Sequence, residues 1–272
     1  MSGSASPRAG IDAAEGIEAR GIKASSGVIH NPGFALTVGK ALEAMRSARG
    51  KPVRLARPVV VLDGWHSPGV PAWGLSRRLC GLTSGRGEDF AWVTYPWAWS
   101  VDVAARHAMG VLERGGLLGR EVDLIGISMG GIVARALASG VLGVGGPDSV
   151  RAVRVFTLAS PHRGARLAKY GYVDRASAQL RAGSDVLRRL DDALPRRGYE
   201  LTCYALLRDW LVGARQTAPM GMEPHWVDPQ GFVQGRLSHF MSIYDARIQI
   251  DLARRLRGEE AFAKVASAPP RE

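Results

Sequence analysis

Gly126-Ile127-Ser128-Met129-Gly130 is the segment of this chain whose residue types and spacing could do chemistry. A serine flanked two residues away on each side by glycine is the pattern of a nucleophile held on a sharp strand-to-helix turn. The chemistry it implies is acyl transfer, with the hydroxyl attacking a carbonyl carbon and a nearby base taking its proton. In a glycine-rich chain such a pentapeptide is weak evidence by itself. Its context strengthens it: Val122, Leu124, Ile125 and Ile127 form an apolar run directly before it, and a stretch rich in Ala, Gly and Val leaves it. At such a turn, side chains at positions 126 and 130 would strike backbone, and Gly131 lets strand and helix approach.

Acyl transfer needs a base, an acid that orients the base, and two N–H groups for the oxyanion. After Ser128 the candidate bases are His162, His225 and His239. His162 follows a strand too early for an acid to precede it, and His225 lies in a Pro- and Trp-containing loop. His239, in Leu237-Ser238-His239-Phe240 before the last helix, is the choice. For the acid, Asp209 follows an apolar strand in Leu207-Arg208-Asp209-Trp210, which puts a carboxylate at a strand end. Asp228 is its rival, and Asp191 and Asp192 read as an exposed helix face. The oxyanion donors expected are the N–H of Met129, directly after the serine, and that of Trp65, with Gly64 as second choice. Both alternatives lie in Asp63-Gly64-Trp65-His66-Ser67-Pro68-Gly69, where Asp63 must point away from the oxyanion or be paired.

The elements that must position these groups can be traced along the chain. Residues 1–30 are expected to be a flexible arm, and Asn31-Pro32 to open a helix running to Gly50 with Phe34, Val38, Leu42 and Met45 on its apolar face. Strands are expected over 58–63, 89–95, 121–127, 150–159 and 200–207. Helices are expected over 68–83, from a Ser100 cap to Gly115, over 129–139, near 175–193 and over 244–257, the last opened by a capping box from Ser242 to Asp245. Short, nearly all-apolar strands alternating with helices imply a mostly parallel sheet covered on both faces, with its site beyond the strands' C-terminal ends. Residues 31–260 are read as one catalytic domain, with a helical insertion at about 160–199 that could act as a lid, and 261–272 as a flexible tail.

Bulk properties narrow the function classes. The formal net charge is +11, from 36 basic and 25 acidic residues, but the basic residues are spread along 272 positions. A nucleic-acid binder concentrates its charge on one face, so no nucleic-acid partner is expected. Cys80 and Cys203 are too few for a disulfide framework and lack partners at metal-ligand spacing; they read as small core residues, and no metal or cofactor is expected. The N-terminal segment lacks the apolar core of a secretory signal, and no run is long enough to span a membrane, which points to a cytoplasmic protein.

Together the segments VVVLDGWHSPG, DLIGISMGG, TLASPHRGA, LRDWLV and LSHF, in that order over residues 58–257, resemble bacterial lipase- and esterase-like members of the α/β-hydrolase superfamily. The resemblance implies an α/β-hydrolase fold and cleavage of carboxylic esters by a triad of Ser128, Asp209 and His239, with His162 in a structural role. It departs from many relatives in having Asp63-Gly64 where they carry His-Gly. Trp97 and Trp99, at the C-terminal end of a strand, would suit a hydrophobic acyl group or fill the core. A small-molecule ester is therefore the expected partner. The same triad would serve an acyltransferase or a thioesterase, and the fold also occurs in binding proteins without catalysis.

Overall fold

The computed structural model describes residues 28–171, 173–231, 235 and 237–271. The expected N-terminal arm lies outside these residues up to position 27. Six strands form one all-parallel sheet: β1 (Val59–Leu62), β2 (Phe90–Val93), β3 (Glu121–Ile127), β4 (Arg151–Leu158), β5 (Glu200–Leu206) and β6 (His225–Val227). Their spatial order is β2-β1-β3-β4-β5-β6. Five of them are the expected strands, β3 with the expected bounds and the other four trimmed at their ends. The sixth falls where the sequence suggested a loop carrying His225, because three residues between Pro224 and Pro229 give too short a pattern to read.

Side chains alternating along the strands feed two apolar layers, one on each face. Val60, Leu62, Val122 and Leu124 pack with helices α3 (Val101–Arg114) and α4 (Met129–Ser139) and with the short helices α5 (Arg175–Gln179) and α6 (Asp185–Ala193). Val59, Val61, Ile125, Ile127, Phe156 and Leu158 face α1 (Val38–Arg49), α2 (Val70–Leu82) and α8 (Ala246–Leu256). A strand buried on both faces has no room for polar alternation, which is why β1 reads Val-Val-Val-Leu.

Helix ends account for the remaining differences. Asn31 caps only a single 3-10 turn over Pro32–Phe34; α1 starts at Val38 beneath a Thr37 cap, leaving Leu42 45% exposed while Ala41 and Met45 are buried. Gly50 ends α1 with φ −77°, so it is not the left-handed glycine its position suggested. The helix expected over 175–193 is two helices, because Gly183 adopts φ +74° and Ser184 caps α6 anew. Ser242 forms no capping box with Asp245; Asp245 is itself the cap of α8, and the Ser242 hydroxyl donates to the His239 carbonyl. Ser100 caps α3 as expected. Within the segment expected to be a tail, the Ala263 N–H donates to Asp251 and the Lys264 N–H to the Gly33 carbonyl.

Candidate active site at the C-terminal edge of the sheet

Among the described residues four other than glycine have positive φ, and each follows the C-terminal end of a strand: His66 (+48°), Ser128 (+51°), Ala159 (+50°) and Arg208 (+63°). Such conformations cost about 1–3 kcal/mol each and persist only where surrounding structure enforces them. At Ser128 the enforcement is visible. Its N–H donates to the Leu158 carbonyl and its carbonyl accepts from Gly131, so the chain reverses from β3 into α4 within one residue. A Cβ at position 126 would lie 2.3 Å from Gly131 backbone, one at 130 would lie 2.3 Å from the Leu62 carbonyl oxygen, and one at 131 would lie 2.1 Å from the Ser160 hydroxyl. The three glycines are therefore steric requirements of the turn. It also leaves Ser128 beside the first turn of α4, where unpaired N–H groups favour negative charge.

The structure brings Ser128, His239 and Asp209 into one hydrogen-bonded chain. Ser128 Oγ lies 3.1 Å from His239 Nε2, and His239 Nδ1 lies 2.9 Å from Asp209 Oδ2. Asp209 is 1% exposed, and its other oxygen accepts the N–H groups of Leu211 at 3.0 Å and Val212 at 2.9 Å. A carboxylate has no proton to give, so Nδ1 is the donor in that pair and Nε2 faces Ser128 with a lone pair. His239 stands on a short helical turn, α7 (Ser238–Met241), pinned by the Ser238 hydroxyl donating to the Arg208 carbonyl.

None of the rival groups enters this chain. His162 is buried between Arg135 Nη1, 3.1 Å from its Nδ1, and the Thr157 hydroxyl, 3.0 Å from its Nε2. Burial first, and the Arg135 charge second, hold its imidazole well below the usual range, so it is neutral. His225 is half-buried on β6 against the rings of Phe34 and Tyr204. Asp228 is buried at the end of β6, where it accepts from the Ile29 N–H and pairs with Arg208. Asp192 is exposed as expected, while Asp191 is half-buried and pairs with Arg135, whose side chain is fully buried. Cys203 lies in the core, where burial pushes its thiol up to about 11. Among the described residues no three or more His, Cys, Asp or Glu side chains are grouped to hold a metal.

The loop after β1 passes directly over Ser128: a Cβ on Gly64 would sit 3.6 Å from the serine Cβ. The Gly64 N–H is engaged, donating to Asp63 Oδ1 at 2.8 Å. Asp63 is fully buried and burial raises its pKa, a shift opposed by that Gly64 contact. Weaker contacts with the Ser67 side chain and the backbone of Ala72 and Gly69 oppose it as well. Trp97 and Trp99 are 59% and 53% exposed at the same edge of the sheet, so they do not fill the core.

One further cluster escaped the sequence reading. Asp174 Oδ2 accepts from the Trp65 indole N–H at 2.9 Å and lies 2.9 Å from His66 Nε2, while His66 Nδ1 lies 2.6 Å from the Pro96 carbonyl oxygen. The only sequence signal was Asp174-x-x-Ser177, which forms the capping box of α5.

No family model and no curated protein sequence matches this chain. Among solved structures it is similar to phospholipase PlaB from Legionella pneumophila, at 13% identity and a TM-score of 0.53, with 77% of this chain and 62% of that chain covered. The same phospholipase in complex with thio-NAD aligns at 13% identity and a TM-score of 0.50, over 74% of this chain and 59% of that one. The propeptide form of the Bacillus licheniformis lipase BlEst2 aligns at 14% identity and a TM-score of 0.48, over 81% and 53%. The chain thus spans less than two thirds of the PlaB structures it matches. At these identities the likeness is one of architecture, and with the sheet order above the PlaB matches show that this chain has an α/β-hydrolase fold.

Proposed function

We propose that this chain is a serine hydrolase that cleaves carboxylic esters through an acyl-enzyme on Ser128. The observation that carries this reading is the continuous contact from Ser128 Oγ through the His239 imidazole to the buried Asp209 carboxylate, at 3.1 and 2.9 Å. His239 Nε2 takes the hydroxyl proton as Ser128 Oγ bonds to the ester carbonyl carbon. The N–H groups of Met129 and Trp65 receive the oxyanion. The carbon–oxygen bond to the alcohol then breaks, and the alcohol leaves with the proton from His239. Water, deprotonated by the same nitrogen, releases the acid and regenerates the serine. Asp209 keeps Nδ1 protonated and steadies the imidazolium in both steps. Trp97 and Trp99, exposed at the mouth, offer apolar surface to the acyl group.

Incubation with a fluorophosphonate followed by peptide mapping tests the reading. Labelling is expected on the peptide containing Ser128 and is expected to vanish in His239→Ala; a label elsewhere, or one indifferent to His239, would overturn it.

A further inference from the structure

The loop carrying Trp65 is held at both ends, and its second anchor comes from a distant part of the chain. Asp174 lies 109 residues beyond Trp65, in the segment between β4 and β5. Its two carboxylate oxygens have separate tasks. Oδ1 accepts the Ser177 N–H at 2.7 Å and so caps α5. Oδ2 takes both the Trp65 indole N–H and His66 Nε2. The α5 segment is in turn fixed to the body of the molecule, since the Ala176 N–H donates to the Trp99 carbonyl and the Gln179 side chain bonds to the N–H of Val101 and to Asp102.

The contacts of His66 define its charge. A carbonyl and a carboxylate are both acceptors, so Nδ1 facing Pro96 and Nε2 facing Asp174 must both carry protons. His66 is therefore an imidazolium in this arrangement. The hydrogen bond to Pro96, with the neighbouring Asp174 charge, raises its pKa against a smaller opposing effect of burial. Hydrogen bonds from Ser177, Trp65 and His66 outweigh the burial of the Asp174 carboxyl and keep it ionised. Asp174 is the charged group that faces His66, and the Trp65 ring tilts against it at 4.8 Å. His66 also has φ +48°, a left-handed backbone conformation that is uncommon for a residue other than glycine. Its ring is held from both sides, at 2.6 Å from the Pro96 carbonyl oxygen and 2.9 Å from Asp174 Oδ2.

We infer that Asp174 is a positioning residue: it latches the Trp65–His66 turn so that the Trp65 backbone N–H stays aimed at the oxyanion over Ser128. The inference rests on the serine-hydrolase reading and adds a part to it. The latch makes the geometry of the oxyanion loop depend on how the α5 segment is seated. Breaking it leaves Ser128, His239 and Asp209 untouched and lets the turn relax, so the loss falls on the chemical step rather than on ground-state binding.

The experiment measures kcat and KM with a p-nitrophenyl ester, together with thermal midpoints, for the wild type, Asp174→Ala, Trp65→Phe, the double variant and Ser177→Ala. Asp174→Ala should lower kcat roughly 10- to 100-fold with KM changed less than about threefold. Trp65→Phe keeps the backbone N–H, the ring and the α5 cap, and should lose part of the same activity; it carries the test if Asp174→Ala does not fold. Because the two side chains act through one contact, the double variant should be no worse than Asp174→Ala. Ser177→Ala loosens the backbone around Asp174 while leaving its bonds to Trp65 and His66 in place, and should lose clearly less activity than Asp174→Ala. In the wild type kcat should also fall on the alkaline side as His66 loses its proton, and this limb should be missing in Asp174→Ala. Equal losses in Ser177→Ala and Asp174→Ala, additive losses in the double variant, or wild-type kcat in a folded Asp174→Ala would each overturn the latch. Ser128→Ala separates the two claims: hydrolysis by that variant refutes the serine reading itself, whereas its inactivity beside an unimpaired Asp174→Ala refutes the latch alone.

Discussion

Replacing Asp209 by Asn probes the candidate site with the least structural disturbance. The side chain keeps its size, and its amide orientation is decided by the two backbone donors on Oδ1, Leu211 at 3.0 Å and Val212 at 2.9 Å. Only the amide oxygen can accept them. Turning the amide over would forfeit two hydrogen bonds worth about 1 kcal/mol each, so the oxygen-inward orientation is favoured by roughly 30-fold. The amide nitrogen then takes the place of Oδ2, 2.9 Å from His239 Nδ1, and donates to it. His239 must respond with the other tautomer, which puts a proton on Nε2, where Ser128 needs a lone pair. A base presented in the wrong tautomer costs on the order of 10⁴ in kcat, as in a serine protease with the same substitution, or about 5.4 kcal/mol of transition-state stabilisation. Steady-state hydrolysis of a p-nitrophenyl ester near neutral pH gives the number, and a thermal melt confirms that the fold is intact. A loss of less than about 100-fold in a folded protein would mean that Asp209 does not set the tautomer of a working base, and the reasoning fails.

Other outcomes follow from particular contacts. Gly130→Ala would drive a Cβ to within 2.3 Å of the Leu62 carbonyl oxygen and 2.5 Å of that of Asp63, so a drop of about 1–3 kcal/mol or more is expected in chemical denaturation. His162 is neutral when folded because burial lowers its pKa, whereas in the unfolded chain it titrates near 6.5. The unfolded state therefore binds the extra proton, and stability should fall by about 1.4 kcal/mol per pH unit as pH drops below that value. Denaturant titrations of His162→Gln should lack this component of the slope. Asp63 has the opposite linkage: folding raises its pKa, so its ionisation weakens the fold as pH rises through the carboxylate range. Asp63→Asn should keep the acceptor for Gly64 and raise the thermal midpoint at neutral pH; a lowered midpoint would show that the buried charge is compensated.

The sequence made the centre of the molecule legible for a physical reason. A strand buried on both faces must be apolar throughout, a one-residue reversal into a helix must have glycines around it, and both demands fall on residues 122–131 together. Chain order narrowed the bases and acids that could meet Ser128, and His239 and Asp209 are the two found beside it. What stayed hidden was non-local or too short. β6 has three residues, and Pro224 and Pro229 around it read as loop. The break between α5 and α6 falls at Gly183-Ser184, where one helix was expected near 175–193. The attachment of residues 263 and 264 to Asp251 and Gly33, and that of Asp174 to Trp65 and His66, depend on side chains meeting across the fold, which periodicity does not encode. Asp63 was recognised as a charge that had to turn aside or be paired; its pairing with the Gly64 N–H, which removes Gly64 from the oxyanion donors, required the coordinates.

The central claim is that an ester's acyl group passes through Ser128, and trapping that intermediate tests it most directly. A p-nitrophenyl ester would be mixed with the enzyme, quenched in acid within the first turnovers, and the peptides weighed. An acyl mass increment is expected on the peptide containing Ser128, rising with the first burst of p-nitrophenolate and lost in Ser128→Ala. Product formation with that peptide unmodified throughout, or undiminished turnover by Ser128→Ala, would contradict it.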